Sequence, residues 1–178
     1  SESNGLGADM VDFFVGGDPK LKRDMASLIA EMRDAKEYGS LLKITPVDFD
    51  ALYARFDEVF DDVSMLKTAV MDDLLPLVRV AEALAKQYHA VVTNPPYAGR
   101  RNLSSKMCNF LDTNYSIAKM DLFSAFIVHN INMTLSNGYA GFMTPFVWLY
   151  LSSYSQLRGE ILQSSYISNY LQPEESSF

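Results

Sequence analysis

Four adjacent residues, Asn94-Pro95-Pro96-Tyr97, directly follow the run His89-Ala90-Val91-Val92-Thr93. Each proline fixes its own φ and pushes the residue before it out of the helical region, so Asn94 and Pro95 are held extended. Neither proline has an N–H. The turn therefore offers acceptors, the Asn94 side-chain oxygen and the Pro95 carbonyl, and Tyr97 adds a flat aromatic face beside them. Two acceptors and a stacking surface suit a planar ring that bears an exocyclic amino group. Such an amino group is a poor nucleophile, because its lone pair is delocalised into the ring. Hydrogen bonds accepted from both of its protons favour the pyramidal, localised form, an assistance that grows toward the transition state. Alignment of the nitrogen with a methylsulfonium would complete the chemistry. The same four residues can also be read as a rigid turn and nothing more.

Downstream of this turn stand Arg100, Arg101 and Lys106, with no acidic residue among them. The trio suits phosphate contacts, and the alternative is an ordinary solvated loop. Other candidates carry less chemistry. His89 and His129 are far apart and lack a cysteine or paired carboxylates nearby, so no metal site is expected. The pairs Asp61-Asp62 and Asp72-Asp73 read as solvated helix faces. Trp148 and the tyrosines at 139, 150 and 154 read as core, with room for one of them on the nucleic-acid side.

The elements that must position these residues fall into two textures. Asp18-Pro19 gives an N-cap followed by proline at the first helical position, and Leu21, Met25, Leu28 and Met32 continue at helical spacing until Gly39. Leu41 to Thr45 reads as a short buried strand. Thr45-Pro46 repeats the start signal and opens a helix with Phe49, Leu52 and Phe56 on one face. From Val59 to Tyr88 the spacing stays helical, with Pro76 expected to kink or split it. Residues 1–17 read as loop or frayed helix.

After residue 88 the pattern becomes alternating strand and helix. His89 to Thr93 reads as a buried strand, residues 94–102 as loop, and Ser104 to Leu111 as a helix. A clearer helix spans Asp121 to Leu135, with Leu122, Phe123, Phe126, Ile127 and Ile131 toward a core and Asn137-Gly138 ending it. Tyr139 to Thr144 reads as a second buried strand. Ser152 or Ser153 caps a further helix carrying Leu157, Ile161 and Leu162, and Tyr166 to Leu171 reads as a third strand. Strand–helix alternation of this kind implies a parallel sheet. The fold class is α/β, with residues 1–88 a mainly helical segment leading into residues 89–178. In such sheets ligands lie beyond the carboxyl ends of the strands, which is where Asn94 falls.

Composition supports a folded, non-membrane chain. Of 178 residues, 48% are hydrophobic and 21% charged, values typical of globular proteins. The most apolar stretch, Ala140 to Leu151, is short and broken by Thr144 and Pro145, so no bilayer span is expected. The single cysteine, Cys108, excludes an internal disulfide, fits a reducing cytoplasm and reads as a small buried residue. Net charge is −7, but residues 1–90 hold 17 acidic and 10 basic side chains while residues 91–178 hold 5 of each. The acidity belongs to the first half, so it does not argue against a polyanion at the second.

Residues His89 to Tyr97 resemble the catalytic motif of class I amino-methyltransferases, the Asn/Asp-Pro-Pro-Tyr/Phe family. Further stretches extend the likeness: Glu37 to Leu42, Asp121 to Ile127, Asn137 to Pro145, and Trp148 to Arg158. In that order they are similar to the large adenine-specific methyltransferases of bacterial BREX phage-defence systems, the PglX type, over most of the chain from about residue 30. The resemblance implies a partial Rossmann-like class I methyltransferase fold and a site-specific DNA adenine-N6 methyltransferase of phage defence or restriction-modification. It implies S-adenosyl-L-methionine as methyl donor, double-stranded DNA as substrate and other phage-defence proteins as partners. By the same likeness Asn94 and Pro95 would hold the N6 amino group of a flipped adenine and Tyr97 would stack on it, with Pro96 letting the loop pass close. Asp121 and Phe123 would lie near the cofactor, and Arg100, Arg101 and Lys106 near DNA.

One departure matters. The family's glycine-rich turn after a first strand, and the acidic residue that follows a second strand, are missing. Asn4-Gly5-Leu6-Gly7 is too short and follows no strand. The chain is therefore expected to be an internal piece of a longer enzyme, inactive alone. On that expectation the main cofactor site lies upstream of Ser1 and target recognition beyond Phe178. Cytosine N4, an RNA base or a protein glutamine would place an amino nitrogen at the same acceptors. A non-catalytic module that binds DNA or a partner also remains open.

Overall fold

The computed structural model describes Ser3 and residues 6–172. Asn4 and Gly5 of the short glycine stretch lie outside the described residues. So do Ser1 and Phe178. Two compact units divide at Lys86–Gln87.

The first unit is helical. Helix α1 (Ala8–Val15) is more than a frayed loop: Gly16 closes it in the left-handed conformation at φ 57°. Arg55 reinforces that end, with Nε donating to the Phe14 carbonyl at 2.6 Å and Nη2 to the Phe13 carbonyl at 3.3 Å. Helix α2 (Pro19–Glu31) starts as the sequence implies, the Asp18 carboxylate accepting from the Lys20 and Leu21 amides at 2.7 and 3.1 Å. Leu21, Met25, Leu28 and Met32 are all buried. A short α3 (Ala35–Tyr38) follows Asp34, which holds a left-handed φ of 59°.

Three expectations for this unit are corrected. Leu41 to Thr45 is not a strand: Gly39–Leu41 form a 3₁₀ turn, and the chain then runs irregularly although Leu41, Leu42 and Ile44 are buried. Thr45-Pro46 does not open the next helix. Glu31 takes both the Thr45 amide (2.8 Å) and hydroxyl (2.7 Å), so Asp48 caps α4 (Phe49–Phe60) through the Ala51 amide instead. The helical stretch expected from Val59 to Tyr88 breaks at residues 61–65, where Val63 and Met65 stand fully in solvent. It resumes as α5 (Leu66–Ala69), a π-helical turn (Val70–Leu74) and α6 (Leu75–Ala85). Pro76 falls in the first turn of α6, so the interruption expected of it takes the form of the π turn just before it. The π turn, in which the Leu75 amide reaches back to the Val70 carbonyl, absorbs the clash a proline ring makes with the preceding turn.

Phe14, Met25, Leu28, Leu52, Phe56, Leu74 and Leu77 make the core of this unit, with the Phe14 and Phe56 rings 4.4 Å apart. Each such side chain contributes about 1.5–3 kcal/mol by leaving water.

In the second unit β1 (Tyr88–Thr93) pairs in parallel with β2 (Thr134–Phe142), matching Val92 with Gly141 and Thr93 with Phe142. Between them run α7 (Ser105–Asn114), capped by the Ser104 hydroxyl on the Met107 amide, and α8 (Leu122–Asn132). Helix α8 packs on the sheet and buries Phe123, Ala125 and Ile127. The architecture is α/β with a parallel pair flanked by helices.

Asn137-Gly138 does not end α8, which stops at Asn132; the pair lies inside β2. Tyr88 faces Thr134 and Ala90 faces Tyr139, so two steps on β1 meet five on β2 and the surplus bulges. Asn137 there has φ 65°, and a Cβ on Gly138 would fall 2.7 Å from Thr134 Cγ2 and 2.8 Å from the His89 carbonyl. Nor are the strands buried. Val92 is 82% exposed and Tyr139 75%, because among the described residues nothing covers the face they share. Residues 166–172 form no strand, and Tyr166 and Leu171 are exposed. The last helix, α9 (Ser155–Ser164), follows a 3₁₀ turn at Ser152–Tyr154 rather than a serine cap, and buries Leu157 and Ile161 but not Leu162.

Candidate active site

The Asn94–Tyr97 turn leaves the carboxyl end of β1, and the chain leaving β2 runs beside it. The Met143 amide donates to the Thr93 carbonyl at 3.1 Å, extending the parallel pairing one step beyond the strands. Tyr97 makes the second tie. Its hydroxyl lies 2.9 Å from the Met143 carbonyl and 3.0 Å from Asn94 Oδ1. A phenol has one proton. Given to Met143, it leaves both lone pairs of the Asn94 oxygen for a ligand; given to Asn94, it occupies one of the two. Pro95 is buried beneath the turn, while Asn94, Pro96 and Tyr97 face solvent. The rigid part of the turn is thus anchored and its polar part is presented.

The chain then pairs with the approach to α8. The Leu122 amide donates to the Ala98 carbonyl and the Arg100 amide to the Met120 carbonyl, both at 3.0 Å, bracketing a bridge between Gly99 and Asp121. Gly99 is needed for that approach, since a Cβ there would fall 2.9 Å from Asp121 Oδ1. The other oxygen of Asp121 accepts from the Tyr154 hydroxyl. Burial, and then the neighbouring carboxylate, pushes the Tyr154 phenol above its ordinary pKa. Phe123 is 2% exposed, with its ring 5.8 Å from that of Tyr154. Asp121 and Phe123 therefore brace the loop from behind.

Of the three basic residues, Arg100 is engaged. Its Nη2 lies 2.5 Å from Asp112 Oδ2 on α7, and Lys119 Nζ lies 3.2 Å from the other oxygen. Arg100, and then Lys119, hold the Asp112 carboxyl below the usual carboxylate range. Arg101 and Lys106 are exposed. Gly99 to Asn102 with Cys108 and Met120 line an open groove alongside the turn. Cys108 is half-buried rather than buried, its thiol directed at the Arg100 carbonyl at 3.6 Å.

Met143 and Asp112 join the site without having been singled out in the sequence, and Tyr154, read there as core, joins it through Asp121. Met143 had a usable signal, because it ends a strand parallel to β1 and so reaches the same edge. Asp112 had none, meeting Arg100 only through the packing of α7. Among the described residues no three histidine, cysteine, aspartate or glutamate side chains gather as metal ligands, and no helix is long and apolar enough to cross a membrane.

A parallel pair backed by helices, with Asn-Pro-Pro-Tyr at its carboxyl edge, is part of a methyltransferase fold of class I type. The chain belongs to the Eco57I restriction-modification methylase family, whose profile matches residues 26–178. It is 31% identical over 166 residues to the adenine-specific methyltransferase BrxX of Escherichia coli O9:H4 (strain HS), covering 87% of this chain and 14% of that protein. It is 29% identical over 148 residues to the adenine-specific methyltransferase PglX of Lacticaseibacillus casei (strain Zhang), covering 80% of this chain and 12% of that protein. The chain thus spans about one-seventh or less of the length of these relatives.

Proposed function

We propose that this chain carries the acceptor half of the active site of a DNA adenine-N6 methyltransferase acting in phage defence or restriction-modification. The observation that carries the reading is the Asn94–Tyr97 turn itself, anchored through Pro95 and Met143 with the Asn94 side chain exposed. Asn94 Oδ1 and the Pro95 carbonyl take the two N6 protons of an extruded adenine, Pro96 keeps the backbone extended and Tyr97 stacks on the ring. Those bonds strengthen as the nitrogen becomes tetrahedral, which is how the turn accelerates transfer. S-adenosyl-L-methionine is the proposed donor and supplies an electrophilic methyl group on sulfur. Asp121 and Phe123 are turned toward Tyr154, so their part is to hold the loop at the reacting edge.

Double-stranded DNA is the proposed substrate, with Arg101 and Lys106 on its phosphates and Arg100 beside them, tempered by Asp112. Residues 89–178 are the C-terminal half of the catalytic domain on this reading, and residues 1–88 a helical segment leading into it. A cytoplasmic enzyme working with other defence proteins completes the proposal.

The test uses a polypeptide of the relatives' length carrying this segment, with methyl-labelled S-adenosylmethionine and phage DNA. Label is expected in N6-methyladenine, and Asn94→Ala should lower transfer by about 100-fold or more while leaving S-adenosylmethionine affinity unchanged. Label on cytosine, RNA or protein, no label at all, or full activity of Asn94→Ala would overturn the reading.

A further inference from the structure

The sequence reading places Tyr150 in a core, yet it stands in water, and so does Phe146. Phe146 is 49% exposed and Tyr150 68%, with ring centroids 6.2 Å apart in an edge-to-face pair. Phe146 comes three residues after Met143, whose carbonyl holds the Tyr97 hydroxyl, so the pair borders the candidate site. The segment is braced. Arg158, reaching from α9, donates through Nη1 to the carbonyls of Trp148 and Leu151, both at 2.7 Å. Within the turn the Leu151 amide closes on the Val147 carbonyl at 3.0 Å. Two rings held outward by a guanidinium clamp are a prepared surface, not a failure of packing.

Charge selects what can sit there. From Gln87 to Gly159 the chain has two acidic residues, Asp112 and Asp121, against Arg100, Arg101, Lys106, Lys119 and Arg158. Both acids are engaged inside the site, Asp112 by Arg100 and Lys119, Asp121 by Tyr154. Residues 122–159 contain no carboxylate that would repel a polyanion from the rings, and the one acid on α9 is the exposed Glu160. Exposed rings beside a site that draws a base out of its stack match what the neighbouring base loses in that event, a π-face to lie on.

We infer that Phe146 and Tyr150 form a stacking platform for a nucleobase adjoining the one held at Asn94, on the same DNA strand. The inference rests on the reading of the Asn94–Tyr97 turn as the acceptor site, and goes beyond it by assigning a second base-binding surface. The platform keeps the extruded strand in place, so it acts on DNA affinity more than on the transfer step.

The experiment uses the polypeptide of the relatives' length. The sequence it methylates is mapped by sequencing treated DNA, and a fluorescein-labelled duplex of that sequence is titrated by anisotropy. The Phe146→Ala/Tyr150→Ala double variant should raise the DNA Kd about ten-fold or more, with S-adenosylmethionine affinity and melting temperature unchanged. Tyr150→Trp should restore most of the affinity lost in Tyr150→Ala, because it returns a ring. Should the double variant lose thermal stability, Tyr150→Glu at this exposed position decides the matter, and it must weaken DNA more than Tyr150→Ala. An unchanged DNA Kd in the double variant or in Tyr150→Glu, with wild-type methylation of DNA intact, overturns the platform alone and marks the rings as a protein-docking surface. Absence of wild-type DNA methylation is a different result, which overturns the acceptor-site reading and the platform with it.

Discussion

Tyr97 and Met143 are joined by a hydroxyl-to-carbonyl contact of 2.9 Å that crosses from the end of one parallel strand to the end of the other. The contact fixes the ring that follows the two prolines, and it gives the Tyr97 proton a destination other than Asn94. Removing the hydroxyl alone separates these roles from stacking. Tyr97→Phe is expected to lower kcat about five-fold, the worth of one ordinary hydrogen bond, with DNA affinity within two-fold of wild type. Tyr97→Ala should lose stacking as well and fall a further ten-fold or so. Single-turnover methylation with each variant measures both.

Asp112 ties up Arg100 and Lys119 beside the groove. Asp112→Asn should therefore tighten DNA binding and steepen the slope of log K against log salt by about one. The pH dependence has a definite sign. The carboxyl is held below its ordinary value by Arg100 first and Lys119 second, so the pair is intact above the unfolded-chain pKa. It fails only as pH falls through the lowered folded value, and from pH 6 to 8 it contributes no change. A carbon-detected NMR titration should place the Asp112 midpoint below that of a free aspartate at about 3.9.

Gly138 sits where the bulge of β2 presses against β1. A methyl group there meets Thr134 Cγ2 at 2.7 Å and the carbonyls of His89 and Leu135 at 2.8 and 2.9 Å. Two of these three are backbone and cannot swing aside. Gly138→Ala is expected to destabilise the second unit by about 1–3 kcal/mol, read as a lower urea midpoint at constant slope.

Tyr154 reaches Asp121 from the 3₁₀ turn before α9, and Asp121 in turn backs Gly99. Tyr154→Phe keeps the ring against Phe123 but leaves a half-buried carboxylate without that donor, at a cost of about 1–3 kcal/mol. The strain should appear locally first. Hydrogen exchange at the Arg100 and Leu122 amides, which bracket the bridge, is expected to accelerate, while the Tyr88 amide on β1 keeps its protection.

What the sequence reveals here follows the range of the interactions involved. The Asp18-Pro19 start of α2 and the Asn94–Tyr97 turn are legible because proline constraints and side-chain caps act within a few residues. Thr45-Pro46 carries the same local signal and misleads, since Glu31, fourteen positions earlier, claims the threonine. Asn137-Gly138 is legible as a sharp turn, but only its pairing with β1 decides that the turn is a bulge inside a strand. The strands read as buried from their apolar content, yet exposure depends on what lies over them. In the site, the partners of Arg100, Asp121 and Tyr97 lie 12, 33 and 46 residues away. No pattern along the chain announces contacts of that span.

The parallel pairing of β1 and β2 also sets an order of events when the chain is made. A hairpin could fasten itself at once, but here residues 94–133 must be laid down before Thr134 arrives to meet Tyr88. At ribosomal speeds of about 5–20 residues per second, that interval lasts roughly two to eight seconds. Throughout it Val91 and Val92 form an apolar run that β2 has not yet joined, a natural target for a holding chaperone. The Asn94–Tyr97 turn is in the same position, translated early but left without Met143 to fasten to. The Asn94–Tyr97 turn is thus fixed only after Met143 has been made, and slowing synthesis between Thr93 and Thr134 should lengthen that vulnerable period in proportion.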